Sequence, residues 1–180
     1  MQVKSVDGIV ACGLQVKGVR VPKKMSKIRR MDHVGVVVDD LEGALSFFEE
    51  LGMERVGGTT AVEGRWVDLV VGLENVQVDI AFVRTPDGHS QLELTRFRHP
   101  FATSAEPNPP ANRLGLRRLM FLVEDIQDTI ERLRPHGGEL VGEVADYLDV
   151  YRLCYLRGPG GIIVALAEEL GRQPAGGSHV

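Results

Sequence analysis

One internal alignment constrains this chain more than anything else in it: residues 32–57, DHVGVVVDDLEGALSFFEELGMERVG, lie without a gap on residues 117–142, RRLMFLVEDIQDTIERLRPHGGELVG, at an offset of 85. Val38/Val123, Asp40/Asp125, Gly52/Gly137, Val56/Val141 and Gly57/Gly142 are identical, and Val34/Leu119, Leu41/Ile126, Leu45/Ile130 and Phe48/Leu133 keep apolar character. A second match sets QLELTR (91–96) against IVALAE (163–168) at an offset of 72, which makes the second copy 13 residues shorter between its helix and its last strand. A duplicated supersecondary unit builds its core from both copies. With 180 residues, 43% of them hydrophobic and 26% charged, the chain has the apolar content for one domain or two small modules sharing a core, and neither a disordered nor a coiled-coil composition.

Each copy reads as a strand, a helix and three further β stretches. The Val-rich run 32–38 ends at Asp39–Asp40, a pair suited to a helix N-terminus by capping and by its charge against the helix dipole. Leu41, Leu45, Phe48 and Leu51 then recur at helical spacing up to Gly52, as Ile126, Ile130 and Leu133 do before Pro135 and Gly137. Strands are predicted at 54–58, 66–71 with 76–83, and 90–96 in the first copy, and at 139–144, 151–157 and 161–166 in the second. The turn-rich TPDGHS (85–90) and RGPGG (157–161) fit hairpins. The expected organisation is a basic, flexible extension (1–30), a first module (31–98), a Pro- and Ala-rich linker (99–115), a second module (116–170) and a flexible tail (171–180).

Charge narrows the partners. The first 30 residues carry eight Lys and Arg against Asp7 alone, within a chain of net charge −4, so the body is acidic and nucleic acid is excluded as its partner. No apolar run approaches the roughly 20 residues that span a bilayer, so no membrane is expected. The stretch GIVACGL (8–14) is too short, and too close to Asp7, for a lipoprotein signal at Cys12; Met25 offers an alternative start. Two cysteines, Cys12 and Cys154, lie 142 positions apart and indicate neither a disulfide framework nor a zinc site, which fits a reducing, cytoplasmic compartment.

The duplicated unit, with DHVGVVVDDLEGALSFFEELG opening one copy and LELTRF ending it, and LRRLMFLVEDI and YRLCYLRGPGGIIVALAEEL in the other, resembles the vicinal oxygen chelate superfamily of glyoxalases, bleomycin-resistance proteins and extradiol dioxygenases, over residues 31–170. The resemblance implies an α+β fold of two tandem βαβββ modules forming a cup-shaped mixed sheet, with a small molecule or a metal inside the cup. Homodimerisation is frequent in such proteins.

In metal-dependent members, four cup-facing positions supply ligands, one on the first and one on the last strand of each module. The first-module positions match His33 and Glu93, both good ligands for zinc, manganese, nickel or iron. Repeat arithmetic puts the other two on Arg118, which cannot coordinate, and Ala165, which has no donor atom. The expected state is therefore no cofactor, with a divalent metal held through His33 and Glu93 as the alternative.

Two uses of Arg118 remain open. It pairs with Glu93 as a cross-link between the modules, or it binds a carboxylate, enolate or phosphate of a small ligand while His33 or Glu93 moves a proton. His33, Glu93 and Arg118 are thus the candidate catalytic residues. Arg118, Trp66, Asp68 and Tyr155 are the candidate substrate contacts, Trp66 and Asp68 because they alternate along the predicted strand 66–71. His89 and His99 read as solvated, and Cys154 as a small buried hydrophobe on the strand face opposite Tyr155. The function expected is binding of a small anionic or oxygen-rich molecule, by a glyoxalase-like lyase, isomerase or dioxygenase or by a non-catalytic sequestering protein.

Overall fold

The computed structural model describes residues 28–103, 106 and 108–171. The expectations for the basic extension, Cys12, Met25 and the tail fall on residues 1–27 and 172–180, outside those described. The chain divides after Met31, and the unit that begins at Asp32 carries both copies of the repeat.

The first module runs β1 (Val34–Val37), α1 (Leu41–Leu51), β2 (Glu54–Glu63), α2 (Arg65–Val71), β3 (Gln77–Arg84) and β4 (Gln91–His99). The second runs β5 (Arg118–Leu122), α3 (Ile126–Leu133), β6 (Glu139–Leu140), β7 (Ala145–Tyr147), β8 (Tyr151–Arg157) and β9 (Ile163–Glu169). The result is an α+β fold with two mixed sheets, one of order β1-β4-β3-β2 and one of order β5-β9-β8-β6 with β7 also on β8. In each, the first strand is parallel to the last and the other pairs are antiparallel.

The duplication holds bond by bond. Asp40 caps α1 by accepting from Gly43 N, and Asp125 caps α3 by accepting from Asp128 N. After the helices, Gly52 (φ 108°) and Gly137 (φ 86°) turn the chain in left-handed conformation, and Met53 N and Gly138 N donate to Phe48 O and Leu133 O. Beyond β1 and β5, Val38 N and Val123 N donate to Thr95 O and Ala167 O.

Register locates the shortening. Gly35 faces Glu93 and Met120 faces Ala165, which restates the offsets of 85 and 72. On the third strand Phe82 faces Glu93 and Tyr155 faces Ala165, an offset of 73. Twelve of the 13 missing residues therefore fall between β2 and β3, where the first module carries α2, and one falls in the hairpin before the last strand.

Here the sequence expectation is corrected: 65–71 is helix, not strand. Gly64 (φ 109°) breaks β2 and Gly72 (φ 74°) stops the helix, both in backbone conformations that side chains resist. The Asp68 carboxylate accepts from Val76 N at 2.7 Å, closing the loop onto β3. The β-rich composition yields to these tertiary contacts. The predicted strand 139–144 likewise shortens to β6, with β7 following, and β9 begins after a 3-10 turn at Pro159–Gly161.

Strand alternation sorts the faces. Val36, Ala81, Val83, Leu92 and Leu94 of the first sheet pack on α1, and Leu156, Val164 and Leu166 of the second share the same core with Ile126, Ile130 and Leu133 of α3. The opposite face of the first sheet is covered at one end only, where Val67 of α2 packs with Val76 and Val78 against Val62, Ile80 and Phe97.

Candidate functional site

The uncovered part of that opposite face holds His33 and Glu93. Both lie on it by alternation, His33 two residues before Gly35 and Glu93 directly across from Gly35. His33 Nε2 sits 3.5 Å from Glu93 Oε2, and His33 Nδ1 sits 3.1 Å from Asp32 Oδ2. Thr95, one strand repeat along, donates its hydroxyl to Glu93 Oε1 at 3.0 Å. The Phe82 ring meets the imidazole edge-on with centroids 5.6 Å apart.

An imidazole between two carboxylates donates through both ring nitrogens when protonated and presents an acceptor when it has released a proton. Glu93 keeps one oxygen fixed by Thr95 and the other beside His33. The pair is reachable from solvent, with side-chain exposures of 34% for His33 and 25% for Glu93. Gly35 leaves room in front of it, since a Cβ there would meet no atom within 4 Å.

The second module repeats the framework with other chemistry. Arg118 replaces His33, Tyr155 replaces Phe82, Ala165 replaces Glu93 and Met120 replaces Gly35. The Arg118 guanidinium carbon lies 5.5 Å from the Tyr155 ring centroid, a cation–π contact matching the His33–Phe82 contact in position. Among the described residues Arg118 has no carboxylate within ion-pair distance, so the cross-link to Glu93 is not formed.

Of the other candidates, Asp68 spends its carboxylate on the Val76 amide, and Trp66 is 60% exposed on α2. His89 is exposed, and His99, also exposed, places Nδ1 2.9 Å from Asn75 O. Cys154 is a free, buried thiol, and burial pushes its pKa up to about 11. Sequence reasoning passed over Asp32, Gly35, Phe82 and Thr95. Counting by twos from Glu93 reaches Thr95, and from His33 reaches Gly35, so alternation alone would have found these two.

The described side chains do not by themselves complete a set of metal ligands. Among the described residues no group of three or more His, Cys, Asp and Glu is placed to hold an ion, and the second module offers a guanidinium and a methyl group at the corresponding positions. A groove of about 610 Å³ between the modules passes Met53, Pro86, Met120, Glu124 and Arg132, but its lining includes neither His33, Glu93 nor Arg118.

The profile of the glyoxalase/bleomycin resistance protein/dioxygenase superfamily matches residues 30–166. The chain belongs to that superfamily. A crystal structure of a glyoxalase family protein from Bacillus cereus is 50% identical, covering 82% of this chain and 99% of that one with a TM-score of 0.77. A glyoxalase/dioxygenase from Nostoc punctiforme is 19% identical over 92% of this chain and 99% of its own (TM-score 0.56). A fosfomycin resistance protein mutant from Listeria monocytogenes, complexed with Mn(II) and 1S,2S-dihydroxypropylphosphonic acid, is 13% identical over 81% and 93% (TM-score 0.52). The last two likenesses concern the fold alone. No curated protein matches the chain. Members of the superfamily bind small molecules, and no helix among the described residues is long and apolar enough to cross a membrane.

Proposed function

We propose that this glyoxalase-family chain binds a small, oxygen-rich anion on the sheet faces opposite α1 and α3, with proton transfer assigned to His33 and Glu93 and no resident metal. One observation carries the reading: the pair at 3.5 Å faces the space left by Gly35, while the duplicated positions hold Arg118 and Ala165. In this reading a ligand enters in front of Gly35. Glu93, oriented by the Thr95 hydroxyl, takes a proton from an acidic O–H or C–H of the ligand, and His33 holds or returns it.

A second reading, a metal-dependent lyase, isomerase or dioxygenase, draws on the same two side chains as half of a ligand set, the remainder coming from the ligand itself. Sequestration without turnover is the outcome if ligands bind and emerge unchanged. A cytoplasmic setting accords with the free thiol of Cys154.

The chain is also proposed to act as a homodimer. Leu69, Val70 and Trp66 on α2 are more than half exposed, as are Met120 and Leu122 on the second module, which lacks an equivalent of α2. A second copy would cover both patches reciprocally.

Elemental analysis and light scattering of the purified chain test these points. Metal content well below one equivalent is expected, with a melting temperature unchanged by chelator, and a mass of two chains. A metal present at 100 times its Kd would stabilise the fold by about 2.7 kcal/mol, so its removal would be plain. Stoichiometric metal that disappears in His33→Ala and Glu93→Ala would establish the second reading, and a single-chain mass would exclude the dimer.

A further inference from the structure

The two modules present the same three positions with opposite chemistry. In the first, His33 rests beside Phe82 and is answered by Glu93. In the second, Arg118 rests beside Tyr155, and the position that should answer it is Ala165, fully buried and without an acceptor. Its in-register neighbour on β9 is Ile163, which is apolar and buried. Arg157, in the same row on β8, donates to Gly161 O and has Glu139 across from it on β6. Arg118 is thus a cation that the fold holds on an aromatic ring and leaves without a carboxylate from the described residues.

Resting on the reading above, we propose that Arg118, held on the Tyr155 ring at a position where Ala165 offers it no acceptor, is the receptor for one carboxylate group of the ligand, the ligand supplying to the second module what Glu93 supplies to the first. The guanidinium is always charged and presents parallel N–H donors that match the two oxygens of a carboxylate. The Tyr155 ring fixes its position without consuming those donors. Arg118 is exposed on β5, so a ligand carboxylate reaches its donors from solvent, and the two coplanar carboxylate oxygens match the planar fork. Arg118 therefore gives the site a fixed organic cation, and with it a preference for carboxylic acids whose other end reaches the proton-transfer pair.

The test is an NMR titration of the full chain with sodium propionate and, separately, sodium phosphate at constant ionic strength, read at the Arg118 Nε–H and the Tyr155 ring. A saturable propionate response at both is expected. Arg118→Met should weaken it about 10- to 100-fold, Arg118→Lys less, because charge remains while the fork is lost, and Tyr155→Leu by a few-fold. His89→Ala, in the exposed turn 85–90, should leave propionate affinity unchanged. Absence of a response at Arg118, an affinity indifferent to Arg118→Met, or tighter binding of phosphate than of propionate would each overturn the carboxylate receptor. None of those outcomes touches the first module, whose reading fails separately if no ligand from a wider screen perturbs the His33 ring resonances.

Discussion

Glu93 shows how strand alternation assembles chemistry from residues distant in sequence. Its neighbours across the sheet are Gly35 and Phe82, and its neighbour along the strand on the same face is Thr95. Its distance from His33 follows from parallel pairing of strands nearly 60 residues apart. His33 and Glu93 were suggested by the family resemblance, and the two offsets carried those positions to Arg118 and Ala165 in the second copy. The contacts of Arg118 were not, since pairing with Glu93 and stacking on Tyr155 are equally consistent with a cup-facing arginine, and only side-chain placement separates them.

Cys154 illustrates a residue whose burial was readable and whose consequence is measurable. It sits opposite Leu166 in the core, and desolvation of the thiolate raises its pKa to about 11. The folded state thus holds the proton more tightly than the unfolded chain, whose thiol titrates near about 8.5. The associated stability is present below that value and is lost as pH rises through the folded pKa, by an amount on the order of 3 kcal/mol. In a Cys12→Ser background, alkylation of native protein at pH 8 should be far slower than after unfolding, and Cys154→Val should flatten the stability loss between pH 9 and 11. Rapid alkylation of the native protein would contradict the buried placement.

Among the elements, α2 is the one that composition misdescribed. RWVDLVV is rich in strand formers, and nothing in its hydrophobic pattern excludes a strand. What decides the matter is its ends, Gly64 and Gly72, together with the long reach of Asp68 to Val76. The repeat held the clue, since residues missing from one copy and present in the other mark an insertion rather than a strand of the common unit. Asp68→Ala should leave the Val76 amide unpaired in a half-buried position and cost about 1–3 kcal/mol. Hydrogen exchange should then accelerate in 64–76 while β3 and β4 keep their protection. Uniform acceleration across the module would mean that α2 is integral to the sheet rather than an addition to it.

The whole molecule depends on how the two copies meet, and the repeat says that they share a core without saying where they touch. α1 and α3 bring their apolar faces into one cluster, and Arg132 of α3 reaches across to Glu50 of α1, donating to its carboxylate at 3.1 Å and to its backbone carbonyl. A second junction is tighter. Gly160, in the turn before β9, lies against the end of β1 so closely that a Cβ would come within 2.6 Å of Val37 O, and its φ of 66° lies in the left-handed region. A methyl group there meets backbone rather than a movable side chain. Gly160→Ala should therefore cost about 2–4 kcal/mol, combining conformational strain with overpacking. Gly171→Ala, equally left-handed at φ 75° but with open space around it, should cost only the conformational part, about 1 kcal/mol. The comparison by denaturant unfolding isolates the inter-module contact. Equal losses in the two variants would mean that the turn can withdraw from β1 at no cost, and that the modules are joined by their helices alone.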